Sequence, residues 1–84
     1  MKRTYLRATS DLVFHAYAYA REHGERIGDL AERVSVPRSF LQDILGRGKP
    51  LANSPRVRER IAALAKGTDF DGDTWEVVEL RAVR

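Results

Sequence analysis

The 84-residue chain contains no cysteine, so disulfide bonds, thiolate metal sites and a cysteine nucleophile are excluded. Its longest run without a formally charged residue spans only residues 12–20. A membrane-spanning helix needs about 20 apolar residues, so no such helix is predicted. The first residues include two basic side chains but no apolar segment followed by a small-residue cleavage site. We therefore expect no signal peptide.

The residue groupings typical of catalytic and metal centres are also missing. His15 and His23 stand eight residues apart, whereas paired histidine ligands on one helix usually lie four apart. The alternating aspartates of residues 69–73 resemble the start of a calcium loop, but the glycine and glutamate that such a loop needs later are absent. No set of nucleophile, base and orienting residue is evident, and no glycine-rich phosphate loop follows a strand. We expect no enzymatic activity, no metal and no cofactor.

The charges that are present are distributed unevenly. Residues 1–66 hold 13 Lys and Arg against 7 Asp and Glu, a net charge of +6. Residues 67–84 hold 2 against 5, a net charge of −3. The length and the hydrophobic content of 43% suit one globular domain over residues 1–84. A basic region beside an acidic one is the distribution expected when one surface faces phosphates and another is turned away from them.

The hydrophobic spacing in residues 26–45 predicts two short helices that meet at a tight turn. Apolar residues recur at helical intervals up to Val34, and a second set begins at Phe40. Between the two sets, Pro37 fits only the first turn of the following helix, and Ser35 is the better N-cap for that helix. This spacing predicts a helix-turn-helix, although any small helical domain with a sharp corner would show it as well.

The remaining segments frame this motif. Residues 1–8 alternate in character, which fits a short strand and equally a frayed terminus. Residues 9–66 form a helical core, in which capping signals predict one helix that ends at Gly24 and another that starts at Pro55. Residues 68–84 predict a short strand, an Asp-Gly turn and a longer strand that needs a partner, from the N-terminus or from a second copy. The expected fold class is mainly α (α+β), with four or five helices and a C-terminal β-hairpin or strand.

The free face of the second helix of the motif carries side chains that can contact DNA bases. Arg pairs with guanine and Gln with adenine through two hydrogen bonds, Ser serves base or phosphate, and Asp accepts from cytosine or pairs with a cation four residues on. The candidate base-reading residues are Arg38, Ser39, Gln42 and Asp43. The candidate phosphate contacts are Pro37, Arg47, Lys49, Asn53, Ser54, Arg56 and Arg58, with Arg60 as a further cation. An ordinary solvated helix face is the alternative, but the cations as a group favour a polyanion.

The run LAERVSVPRSFLQDILGRGKP resembles the helix-turn-helix of the Cro/phage-repressor-like (XRE-type) DNA-binding family. The matching positions are Leu30, Ala31, Val36, Leu41, Ile44, Gly48 and Pro50. The likeness covers about residues 25–66, but the family usually has glycine in place of Ser35, and serine or threonine in place of Pro37. The resemblance implies a homodimeric transcriptional regulator, more a repressor than an activator, that reads a palindromic operator in double-stranded DNA. Because neither a membrane span nor a signal peptide is predicted, we expect a cytoplasmic protein of a bacterium or phage, associated with the nucleoid if it binds DNA.

The apolar residues and the acidic charge of the C-terminal segment suggest different binding partners. In small Cro-type repressors the C-terminal strand supplies dimer contacts, and the corresponding residues here are Trp75, Val77, Val78 and Leu80. Packing on the protein's own core is the alternative for these side chains. A second hypothesis is an antitoxin-like or other protein-interaction module, whose acidic C-terminal segment binds a partner protein. RNA binding is a third, although Trp75 is the only evident stacking platform.

Overall fold

The computed structural model describes residues 2–81, which form a small α+β domain of four helices and a three-stranded antiparallel sheet. In chain order the elements are β1 (Lys2–Ala8), α1 (Ser10–Glu22), α2 (Ile27–Arg33), α3 (Arg38–Leu41, continued by a π-helical turn over Gln42–Gly46), β2 (Leu51–Ala52), α4 (Pro55–Gly67) and β3 (Trp75–Arg81). The expected α+β class is confirmed. Within the described residues, no helix has the length and apolar character needed to cross a membrane.

The sheet joins the two ends of the chain. Its strand order is β2–β1–β3, and β1 runs antiparallel to β3 with Tyr5 opposite Val78 and Leu6 opposite Val77. On the other side of β1, the two-residue β2 places Leu51 opposite Leu6. Leu6 is buried in the core. Of the two interpretations of the N-terminal segment, the strand is therefore the correct one.

The C-terminal hairpin predicted around Asp71-Gly72 is wrong. The backbone N–H groups of Thr68 and Phe70 donate to carbonyls in the last turn of α4, so this segment ends the helix and forms no strand. Only the longer predicted strand is present, as β3, and its partner is β1. The last part of the predicted segment, residues 82–84, lies outside the described residues.

The start of α1 is tied to the connection that leads into β3. Thr9 is the N-cap of α1, and its hydroxyl oxygen accepts a hydrogen bond from the backbone N–H of Leu12 at 3.2 Å. The same hydroxyl donates to the carbonyl of Asp73 at 2.6 Å. At the other end of the helix, Gly24 has φ +64°, the left-handed conformation that its sequence position predicts. The local capping signals therefore place α1 correctly.

One hydrophobic core joins the sheet to all four helices of the described chain. Each large apolar side chain that is fully buried contributes about 1.5–3 kcal/mol relative to an exposed one. The fully buried ones are Leu6, Leu12, Leu30, Leu41, Ile44, Ile61 and Leu64. Because α3 supplies two of these residues, its orientation is determined by the core.

Arg33, at the end of α2, connects three parts of the structure. Its Nε and Nη2 donate to the two carboxylate oxygens of Glu25 at 2.8 and 3.0 Å, and its Nη1 donates to the carbonyl of Gly67 at 2.8 Å. Its guanidinium carbon also lies 5.2 Å from the ring centroid of Tyr19. The hydrogen bonds from Arg33 hold the pKa of the Glu25 carboxyl below its ordinary value. This side chain thus links α2 to the loop before it, to α1 and to the end of α4.

Candidate nucleic-acid interface

Residues 34–37 join α2 to α3 in a tight turn. The N–H groups of Ser35 and Val36 donate to carbonyls of the last turn of α2, at 3.2 and 3.0 Å, and Ser35 adopts φ +60°. This is the Schellman arrangement, with Ser35 at the left-handed position. The prediction that Ser35 caps α3 is therefore wrong. Pro37 is the N-cap residue of α3, with φ −61° and ψ 141°, so it precedes the first helical turn in which it was expected.

The left-handed conformation of Ser35 leads to a stability prediction. An L-residue in this conformation costs roughly 1–2 kcal/mol, and glycine avoids most of that cost while gaining some freedom in the unfolded chain. We expect Ser35→Gly to raise the free energy of unfolding by about 1 kcal/mol, measured by urea denaturation. The matched control Ser39→Gly, inside α3, should lower it by about 0.5 kcal/mol. Destabilisation by both variants would contradict the role assigned to Ser35.

α3 has one buried face and one exposed polar face. Its apolar residues Phe40, Leu41, Ile44 and Leu45 are all buried. The candidate base-reading residues Arg38, Ser39 and Gln42 are exposed, and Asp43 is half-buried. At Gln42 the helix widens into a π-helical turn, in which the N–H of Arg47 donates to the Gln42 carbonyl at 3.1 Å. Such turns are frequent at functional sites, but the apolar spacing is equally compatible with a regular helix and did not predict it.

Two charged residues of α3, Arg38 and Asp43, have side-chain contacts within the protein. The side chain of Arg38 extends over Gly28 in α2: a Cβ built on Gly28 would lie 3.8 Å from the Arg38 Cδ. This is an ordinary van der Waals distance, so Arg38 packs over the backbone of Gly28. Asp43 Oδ1 lies 3.7 Å from Arg47 Nη1, so the intrahelical pair, one of the two alternatives for Asp43, is present.

Two arginines of α4 lie close to the turn between α2 and α3. Arg56 and Arg60 line a cleft together with Ser35, and the carboxylate of Glu59 lines the same cleft. The guanidinium carbon of Arg60 lies 5.6 Å from the ring centroid of Phe40, which is the distance of a cation–π contact. α4 thus brings two positive charges and one negative charge to the edge of this turn.

Three of the candidate phosphate contacts make hydrogen bonds within the protein. Asn53 donates to the Thr4 hydroxyl at 3.2 Å and accepts from Arg58 Nη1 at 2.7 Å. The Ser54 hydroxyl oxygen accepts from the N–H of Val57 at 3.3 Å and so caps α4. These residues attach the start of α4 to β1. The remaining candidates, Pro37, Arg47, Lys49 and Arg56, are exposed.

The candidate dimer residues on β3 have different environments. Trp75 is half-buried and packs against the core, Val78 is half-buried, and Val77 is 59% exposed. The side chain of Leu80 lies outside the described part of the structure. Among the described strands, β3 is at the edge of the sheet. Trp75 therefore packs on the protein's own core, which is the alternative given for it above. Of the three candidates whose side chains are described, Val77 is the most exposed and so the most available to a partner.

The two histidines are bonded to backbone rather than to each other. His15 contacts the carbonyl of Thr68, and His23 Nδ1 lies 2.8 Å from the carbonyl of Tyr19. Within residues 2–81, no three His, Asp or Glu side chains are grouped so that they could hold a metal ion.

No protein-family model, curated protein or solved structure matches this chain. The geometry of the site is therefore the basis for a functional assignment.

Proposed function

We propose that this protein is a sequence-specific DNA-binding transcriptional regulator, a homodimeric repressor that reads a palindromic operator in double-stranded DNA. The observation that carries the proposal is the exposed face of α3, where Arg38, Ser39 and Gln42 project from a helix whose opposite face is buried. Arg and Gln side chains on an exposed helix can form paired hydrogen bonds with guanine and adenine edges. In that role the protein works on the nucleoid, in the cytoplasm.

In this proposal α2, the turn and α3 act as a helix-turn-helix. The turn has only four residues, and Val34 and Val36 within it are buried, so the two helices are held at a defined angle. In a helix-turn-helix the N-terminal residues of the second helix meet base edges in the major groove. The N-terminal half of α3 is where the exposed Arg, Ser and Gln lie.

The charges around α3 support a polyanionic ligand. Arg38 and Lys49 form no ion pair among the described residues, and both are exposed. Arg56 and Arg60 flank the turn, where they outnumber the carboxylate of Glu59. Exposed cations next to a base-reading helix bind phosphates and position that helix in the groove.

The antitoxin-like alternative has less support. It requires the acidic C-terminal segment to be available as a binding element. Seven residues of that segment form β3 in the sheet, and Glu76 makes an ion pair with Arg7 at 2.9 Å.

Binding-site selection on random duplex DNA at two salt concentrations tests the proposal. We expect enrichment of one palindrome, with affinity that falls as salt rises. Salt-sensitive binding without enrichment would indicate a nucleoid-type architectural protein and would overturn the sequence-specific role. Absence of duplex binding at low salt would overturn DNA binding altogether.

The contribution of Arg56 to phosphate binding can be measured separately. Arg56→Ala should weaken binding to all duplex DNA and lower the slope of log affinity against log salt by about one, because one phosphate contact is lost. The matched variant Arg58→Ala should change the slope less, since the Arg58 guanidinium is hydrogen-bonded to Asn53. The contact is refuted if Arg56→Ala leaves the slope unchanged.

A further inference from the structure

The exposed side of α1 carries an apolar stripe that the described chain leaves uncovered. Phe14 is 76% exposed and Tyr17 43% exposed, and Ala18 lies between them and the end of the helix. They line a groove of about 480 Å³ whose other side includes Ile27, at the start of α2. Apolar side chains that are grouped in this way on a small domain indicate an interaction surface.

This face of α1 is complementary to itself in both size and charge. Phe14 and Ala18 lie two residues on either side of position 16, and Asp11 and Arg21 lie five residues on either side of it. Across a two-fold axis at this level, antiparallel helices would place Phe14 against the partner's Ala18. The same axis would place Asp11 against the partner's Arg21. Neither Asp11 nor Arg21 has an ion-pair partner among the described residues.

We propose that a second copy of this chain docks on the groove, with the two α1 helices antiparallel and Phe14 of each copy inserted beside Ala18 of the other. A two-fold interface requires a patch that matches itself, which is the property of this stripe. The interface extends the proposed function by supplying the two subunits that a palindrome requires, but it forms without DNA. We expect a weak dimer with a dissociation constant on the order of micromolar, since a single helix with its neighbouring groove is a smaller contact than a standard interface.

Sedimentation equilibrium of the full chain without DNA tests the interface. Phe14→Ser should weaken dimerisation by about 10- to 100-fold, because it removes the aromatic anchor. The monomer should keep its thermal stability, since Phe14 is already exposed in one copy. The matched control Val77→Ser removes an exposed apolar side chain from β3 and should leave the dimer affinity unchanged. Loss of the dimer in Val77→Ser but not in Phe14→Ser would overturn the inference in favour of β3.

A charge exchange tests the antiparallel register. Asp11→Arg and Arg21→Asp, made singly, each bring like charges together and should weaken the dimer by about 3- to 10-fold at low salt. The double variant restores opposite charges across the axis and should recover most of the affinity. A double variant that is as weak as the single ones would overturn the register.

The dimer and the DNA reading can fail independently. A chain that stays monomeric up to roughly 10⁻⁴ M, about a hundred times the expected dissociation constant, would overturn the α1 interface and leave the selected DNA sequence unaffected. The opposite outcome is a protein whose dimer is dissociated by Phe14→Ser but which selects no DNA sequence. That outcome would support the interface and overturn the proposed function.

Discussion

Replacing Gln42 with alanine should weaken binding to the selected palindrome by about 1–3 kcal/mol for each half-site while changing the affinity for random duplex DNA little. The amide of a glutamine can form two hydrogen bonds with adenine, and alanine can form none. Phosphate contacts do not depend on base sequence, so the nonspecific part of the binding is retained. Titration of labelled operator and of random duplex at the same salt concentration measures both quantities.

Gln42→Ala should not change the stability of the fold, so a loss of affinity would report the loss of DNA contacts. Gln42 is exposed, and its side chain makes no hydrogen bond within residues 2–81. The free energy of unfolding of the Gln42→Ala variant should therefore stay close to that of the parent chain. A matched control is Glu32→Ala, which removes an exposed side chain from α2 and should shift the two affinities together. Equal losses on operator and random DNA for Gln42→Ala would eliminate its base-reading role.

Replacing Gly67 with alanine should lower the free energy of unfolding by about 1–3 kcal/mol. A Cβ at this position would overlap the Cγ1 of Val34, so the end of α4 has to move away from the turn that precedes α3. The movement also disturbs the hydrogen bond that the Gly67 carbonyl accepts from Arg33. Urea denaturation at neutral pH measures the change.

A double-mutant cycle identifies the cause. Val34→Ala by itself loses buried methyl groups and some stability, but it opens the space that a Cβ on residue 67 needs. The double variant should therefore be more stable than the sum of the two single changes predicts. Gly46→Ala is the control: a Cβ at Gly46 meets nothing within 4 Å, so this variant should lose no stability and should gain up to about 1 kcal/mol from the better helix former. Strict additivity at Gly67 and Val34 would show that the overlap is not the source of the loss.

The features that could be predicted from sequence are those determined by neighbours along the chain. The limits of α1 follow from Thr9 and Gly24, and the start of α4 follows from Ser54 and Pro55. The division of α3 into a buried and an exposed face follows from its apolar spacing. Capping and helical periodicity act within a few residues, so a short window of sequence contains the information.

The features that were missed depend on residues far apart in the chain. The hairpin was expected because Asp71-Gly72 is a strong local turn signal, yet residues 68–70 form no strand. The partner of β3 is β1, about 70 residues away, which is one of the two partners that the sequence left open. The hydrogen bond that Asn53 donates to the Thr4 hydroxyl likewise requires the start of α4 to lie beside β1. A short window of sequence contains no information about contacts between residues that are this far apart in the chain.

The sequence by itself determined the helices, the caps of α1 and α4, the buried face of α3 and the polar residues opposite it, because these features depend on spacing and on local hydrogen bonds. Tertiary structure alone decided which strand pairs with which and where Arg33 holds α2. It also decided which cations stay near α3: Arg56 and Arg60 lie beside the turn, whereas Arg58 binds Asn53. The reason is that burial and long-range contacts select one arrangement among several that satisfy the same local preferences.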